Sequence, residues 1–191
     1  MSGGWELISS QRQPQAGRRP VFVKTYRMPD GSTATFSVSG DPASRAVACV
    51  ALTDRGTAVL AEQYRPGPER LMAELPGGGV EPGEALAAAA ARELAEETGY
   101  VARQLTFLGE MRYDAYSAGT RNYFLAVGCE QRLEQQLDPA EFVTVLEVPL
   151  GELLTLAMGA QMTDCGGVLL ALPYLMDDPG VRDALARRRP L

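Results

Sequence analysis

The chain reads Gly78-Gly-Val-Glu-Pro-Gly-Glu84 and, after seven further residues, Arg92-Glu-Leu-Ala-Glu-Glu-Thr-Gly-Tyr100. A glycine-rich turn therefore precedes an alanine-rich segment that predicts a helix. At about 100° per residue, Glu93, Glu96 and Glu97 fall within about 100° of arc on that helix. Carboxylates this close repel each other unless a cation lies among them, and hard divalent cations such as Mg²⁺ prefer oxygen ligands. The segment predicts a metal site suited to phosphate chemistry.

The predicted helix, residues 84–98, also carries small apolar side chains that would let it lie close to a sheet. These residues are Ala87, Ala90, Ala91 and Leu94. Gly99 stands where a left-handed residue would end the helix. The alternative is a solvated helix with surface ion pairs, for example between Arg92 and Glu96. The carboxylate arc alone leaves both interpretations open.

Composition favours one domain, or one domain with a small appendage. The chain has 191 residues, 46 % of them hydrophobic, and a formal net charge of −6. An acidic chain is poorly suited to binding long nucleic acids through phosphate contacts. An anionic small substrate would need cations to screen it, which agrees with the metal prediction.

The absence of histidine narrows the chemistry further. The chain has no histidine and three cysteines, Cys49, Cys129 and Cys165. Ser-His-Asp or Cys-His catalysis and histidine-based zinc sites are excluded. Acid–base chemistry is left to carboxylates, lysine, tyrosine or metal-bound water. The widely spaced cysteines predict reduced thiols.

We expect a cytoplasmic protein without a membrane segment. The start, Met1-Ser-Gly-Gly-Trp5, lacks the charged and apolar regions of a signal peptide. No apolar stretch reaches the length that spans a bilayer.

Two parts of the chain differ in pattern. Residues 1–42 predict a small antiparallel β unit, because the strand-like segments 21–26 and 32–38 flank a turn at Pro29-Asp30-Gly31. Residues 43–191 predict a mixed α/β layer fold. Its strands are expected at 46–52, 57–64, 105–111, 121–127 and 142–148, and its further helices at 150–158, 168–176 and 183–189.

The complete spacing resembles a known family. Every position of the pattern G-x5-E-x7-R-E-U-x-E-E-x-G-U, in which U is a bulky aliphatic residue, is matched except that Tyr100 replaces the last aliphatic. This pattern is the signature of the Nudix hydrolases, and the chain is similar to them. The resemblance implies an α/β/α sandwich with a mixed β-sheet, preceded here by the N-terminal β unit.

The resemblance also implies residue roles. The positions matching Glu93, Glu96 and Glu97 bind Mg²⁺, or Mn²⁺, together with the carbonyl of Gly77. Arg92 orients these glutamates and Glu84 supports them. The implied reaction is hydrolysis of a diphosphate linkage between a nucleoside and another group.

Segments outside the signature are similar to ADP-ribose pyrophosphatases and related nucleotide-sugar hydrolases. They include Val59-Leu-Ala-Glu-Gln-Tyr-Arg65 and Leu71-Met-Ala-Glu-Leu-Pro-Gly77. A β-rich N-terminal segment also precedes the domain in that group, where it often exchanges between subunits. We therefore expect a homodimer, with residues 1–42 as a dimerisation or swapped segment, acting on a small nucleotide and not on nucleic acid.

The same similarity suggests substrate-binding and catalytic side chains. Arg65 matches a position that contacts phosphate or the terminal ribose, and Glu74 would shape the pocket. The general base of such enzymes often lies in a loop after the signature. Glu141 is the first candidate for it, followed by Glu134 and Glu130.

Substrate identity stays open at this point. Related enzymes carry a proline-containing segment where this chain has Arg112-Tyr-Asp-Ala-Tyr-Ser-Ala-Gly119. Tyr113 or Tyr116 could stack on a base or sugar there. Alternatives are dinucleoside polyphosphates, nucleoside triphosphates or other nucleotide sugars, and a binding module that senses a nucleotide without turnover.

Overall fold

The chain divides into two units in the computed structural model, which describes residues 4–14, 20–139 and 141–187. One unit comprises Met1–Arg45 and Arg112–Arg121, and the other comprises Ala46–Met111 and Asn122–Leu191. Each unit is described by itself.

The first unit is built on a three-stranded antiparallel sheet. Its strands are β1 (Glu6–Arg12), β2 (Val21–Arg27) and β3 (Thr33–Ser39), in that order across the sheet. The predicted turn between β2 and β3 is confirmed, with Gly31 at φ +85°. Strand β1 was not predicted, because its largely exposed residues do not alternate between apolar and polar.

The second unit contains most of a six-stranded sheet. Its strands are β4 (Arg45–Leu52), β5 (Thr57–Arg65), β6 (Arg70–Glu74), β8 (Gln104–Arg112), β9 (Thr120–Val127) and β11 (Thr144–Pro149). The order is β11-β5-β4-β9-β8, and β6 pairs with β5. The short strands β7 (Tyr100–Val101) and β10 (Glu130–Gln131) pair separately.

Helices cover both faces of this sheet. They are α1 (Leu86–Thr98), α2 (Leu150–Met158), α3 (Cys165–Leu175) and α4 (Pro179–Ala186). Because side chains alternate along a strand, β4 directs Val47 and Cys49 into the core shared with α1 and Val50 into the core shared with α2 and α3. The predicted α/β/α sandwich is confirmed. No helix among the described residues is long and apolar enough to cross a membrane.

Helices α3 and α4 begin earlier than the sequence analysis predicted. Helix α4 begins four residues before the predicted start because Asp178 accepts a hydrogen bond from Val181 N (3.0 Å) and Pro179 occupies the first turn. Its predicted end at residue 189 lies outside the described residues. Helix α3 begins at Cys165, three residues before the predicted start.

Candidate active site

Helix α1 lies close to the sheet through a narrow set of small residues. Ala89, Ala90 and Leu94 are fully buried. Ala87 and Ala91, which the sequence analysis placed on the packed stripe, are exposed instead. The packed face is rotated so that Glu97 points inward, at 7 % exposure. Helix α1 ends at Gly99, whose φ of +74° confirms the predicted left-handed residue.

Residues 76–79, here called the glycine loop, form hydrogen bonds with β4 and with side chains of α1. Val47 N donates to Gly78 O, and Cys49 N donates to Pro76 O, both at 2.9 Å. Successive peptide groups of an extended backbone point in opposite directions. We therefore expect the Gly77 carbonyl to face away from β4. Gly77 N donates to Glu97 Oε2 at 2.8 Å, so this side of Gly77 faces the α1 carboxylates.

Replacing Gly77 by alanine is expected to destabilise the fold. A Cβ there would lie 2.2 Å from Val47 O and 2.6 Å from Ala48 Cα, and backbone atoms cannot move aside easily. We expect the free energy of unfolding to fall by about 3 kcal/mol. Denaturant unfolding measures it. The matched control is Gly79→Ala, whose Cβ would meet nothing within 4 Å. Equal stability of the two variants would contradict the close approach of loop and strand.

Arg92 joins the carboxylates of the signature into one network. Its Nε and Nη2 donate to the two oxygens of Glu84, at 2.9 and 3.0 Å. Its Nη1 donates to Glu93 Oε1 and to Glu96 Oε2, both at 2.9 Å. Nη2 also donates to Gly79 O at 2.9 Å, which fastens the glycine loop to the helix. Arg92 thereby contacts Glu93 and Glu96, two of the three glutamates that the resemblance expects it to orient.

Glu97 and Glu93 both have a raised pKa in the folded protein. The pKa of Glu97 is raised to about 8, chiefly by burial and also by the charges of Glu93, Glu141 and Glu74, against the lowering effect of the Gly77 N–H. Burial also raises the pKa of Glu93, opposed by Arg92 and reinforced by Glu96 and Glu141. The folded site thus disfavours its own ionised carboxylates. A bound cation would relieve this.

Arg65, the last residue of β5, forms an ion pair with Glu74, the last residue of β6. Both oxygens of Glu74 accept hydrogen bonds from the Arg65 guanidinium. The Glu74 side chain is 4 % exposed and that of Arg65 is 40 % exposed. Glu74 therefore orients an arginine that is still accessible to an anionic ligand.

Of the glutamates proposed as the base, Glu141 lies within electrostatic range of the α1 carboxylates. Its charge contributes to the raised pKa of both Glu93 and Glu97. Its carboxylate accepts a hydrogen bond from Asp138 N at 3.2 Å. Glu130 is exposed and forms an ion pair with Arg132 at 2.7 Å.

The aromatic candidates belong to the first unit. Tyr116 lies 6.3 Å from Phe36 between ring centroids, and Phe36 lies 6.2 Å from both Trp5 and Tyr26. Tyr116 is 58 % exposed. Its ring is available for stacking on a planar ligand.

Sequence reasoning missed Gln135. Its side-chain amide donates to Glu97 O, at the end of α1, at 2.6 Å. A single glutamine in a loop carries no motif, so no signal in the sequence identifies it.

The donor set fits a hard divalent cation. Three carboxylates on α1 and the Gly77 carbonyl supply oxygen only, which suits Mg²⁺ or Mn²⁺ better than zinc. Among the described residues, no three acidic or thiol side chains already converge as a metal cage. Arg92 contacts one oxygen of Glu93 and one oxygen of Glu96, so within the described contacts the second oxygen of each carboxylate is left for a cation.

Comparison with known proteins decides the family. The sequence model of the NUDIX domain matches residues 42–164. The chain belongs to the Nudix family. This Nudix chain is 33 % identical over 160 residues to the ADP-ribose pyrophosphatase of Bacillus subtilis, covering 81 % of the chain and 83 % of that protein. It is 28 % identical over 178 residues to the ADP-sugar pyrophosphatase of Mus musculus, covering 84 % and 82 %.

Two further relatives extend the comparison. The Nudix chain is 32 % identical over 155 residues to a methanol dehydrogenase activator of Bacillus methanolicus, covering 80 % of the chain and 82 % of that protein. A crystal structure of an ADP compounds hydrolase superposes with a TM-score of 0.75 at 20 % identity, covering 92 % of this chain and 96 % of that one. The family match and the pyrophosphatase relatives confirm the prediction of a Nudix pyrophosphatase.

Proposed function

We propose that this Nudix enzyme hydrolyses the diphosphate linkage of ADP-ribose, or of a similar nucleoside diphosphate sugar, with Mg²⁺ as cofactor. The products would be a nucleoside monophosphate and a sugar phosphate. The proposal rests on the contacts made by the α1 carboxylates. Glu97 accepts a hydrogen bond from Gly77 N, and Arg92 donates hydrogen bonds to Glu84, Glu93 and Glu96. The similarity to an ADP-ribose and an ADP-sugar pyrophosphatase supports the choice of substrate.

The protein's own residues supply positioning and proton transfer. Glu93, Glu96, Glu97 and the Gly77 carbonyl would hold Mg²⁺. When bound, this ion would neutralise the diphosphate and lower the pKa of water. Arg65, held by Glu74, would bind a phosphate oxygen.

Hydrolysis breaks one phosphorus–oxygen bond of the diphosphate bridge. A water oxygen bonds to one phosphorus, and the bond from that phosphorus to the bridging oxygen breaks. The electron pair leaves with the second phosphate group, and the water proton passes to a carboxylate oxygen of Glu141. General-base catalysis of this kind contributes about 10²–10⁴-fold.

A substrate panel tests the proposal. We expect ADP-ribose to be cleaved to AMP and ribose 5-phosphate with the highest kcat/KM among ADP-ribose, ADP-, GDP- and UDP-sugars, diadenosine polyphosphates and nucleoside triphosphates. Products are separated by ion-exchange chromatography. EDTA should abolish turnover, and excess Mg²⁺ should restore it. A preference for triphosphates would reject the nucleotide-sugar assignment, and binding without turnover across the panel would favour a nucleotide sensor.

The assembly, the location and the stacking role of Tyr116 stay predictions of the resemblance. A homodimer would show twice the chain mass of 20.5 kDa in light scattering. A single-chain mass would contradict it.

A further inference from the structure

We infer that Gln135 is a positioning residue, which fastens the loop carrying Glu141 to the end of α1. The inference rests on the proposed function, in which Glu141 accepts the water proton. It concerns the segment Arg132 to Val143, of which Ala140 lies outside the described residues.

The side-chain amide of Gln135 bridges three parts of the second unit. Its Nε2 donates to Glu97 O at 2.6 Å and to Val143 O at 3.3 Å. Val143 lies directly before β11, so it belongs to the far arm of the loop. One amide therefore ties both arms of the loop to the helix that carries the proposed metal ligands. A primary amide suits this place because it has two N–H donors for two carbonyl acceptors.

Backbone contacts fix the near arm of the loop to the same helix end. Gln136 N donates to Glu96 O at 2.8 Å, and the amides of Arg132 and Leu133 donate to Gly99 O at 3.0 Å. The last carbonyls of a helix have no partner within it. Here the loop supplies partners to the backbone of the residues whose side chains form the carboxylate edge.

The loop backbone and the end of α1 are closely packed. A Cβ on Gly99 would lie 2.2 Å from Leu133 O, so the loop backbone lies directly against the helix end. The near arm is thus held by backbone groups, which no side-chain substitution removes. Within the described contacts, the far arm is tied to α1 by the Gln135 amide. Loss of that amide should weaken the link between α1 and the arm on which Glu141 lies.

The variant Gln135→Ala, compared with Gln136→Ala, tests this role. Gln136 contacts the helix through its backbone amide, which alanine retains. We expect Gln135→Ala to lower kcat about tenfold, the effect of losing one or two hydrogen bonds from the active arrangement, with KM changed less than twofold. Amide hydrogen exchange should become faster at residues 137, 138 and 141–143. Gln136→Ala should change neither quantity.

A double-mutant cycle separates positioning from general destabilisation. If Gln135 acts through Glu141, Gln135→Ala should cause no further loss of kcat in an enzyme that already carries Glu141→Gln. A double variant whose loss of kcat equals the product of the two single losses would overturn the inference. Faster exchange with unchanged turnover in Gln135→Ala would also overturn it. If the unmodified chain cleaves no substrate of the panel, the proposed function fails together with this role, and faster exchange would then identify a purely structural contact.

Discussion

Replacing Glu97 by glutamine is expected to lower kcat by about 10³-fold or more, a loss of about 4 kcal/mol of transition-state stabilisation. Glu97 is the most buried carboxylate of the α1 edge and accepts a hydrogen bond from Gly77 N, next to the carbonyl proposed as a metal ligand. Glutamine keeps the shape of the side chain but removes the charge that would hold Mg²⁺. Product release from ADP-ribose under saturating substrate measures the loss.

Two measurements show whether this loss arises from the metal site. Circular dichroism and thermal unfolding should report a native fold for Glu97→Gln, because the isosteric amide still has an oxygen that can accept from Gly77 N. Isothermal titration should report weaker Mg²⁺ binding. Glu152→Gln on α2, an exposed helical glutamate, is the control and should behave as the unmodified enzyme. Near-normal turnover by Glu97→Gln would reject the metal assignment.

The variant Glu141→Gln is expected to lower kcat by about 10²–10³-fold while Mg²⁺ affinity stays the same. Glutamine cannot accept the water proton, and general-base catalysis has about this magnitude. Stopped-time assays measure kcat, and isothermal titration measures metal affinity.

The same substitution at Glu134 and Glu130 identifies the base. If Glu141 is the base, both of these variants retain activity. A large loss at Glu134 with little loss at Glu141 would move the base to another part of the loop. A loss of Mg²⁺ affinity in Glu141→Gln would make this residue a metal ligand.

The sequence was most informative where structure depends on neighbours along the chain. The helix ending at Gly99, the turn at Gly31 and the apolar strand β4 all followed from local signals. Strand β1 was missed because its pairing with β2, and not its own pattern, makes it a strand. The packed face of α1 was misplaced at Ala87 and Ala91, because small residues satisfy either orientation and the sheet decides which one is buried.

In the candidate site, too, some features follow from the local sequence and others depend on tertiary contacts. The sequence by itself determined that Glu93, Glu96 and Glu97 share one edge of a helix, because helical periodicity is a local property. Only the tertiary structure decided which carboxylate accepts from Gly77 N, which carboxylate Arg65 contacts and how Gln135 reaches Glu97 O. These contacts join segments that are distant along the chain. Strand pairing and the path of a loop set them, and neither leaves a repeating pattern in the residues involved.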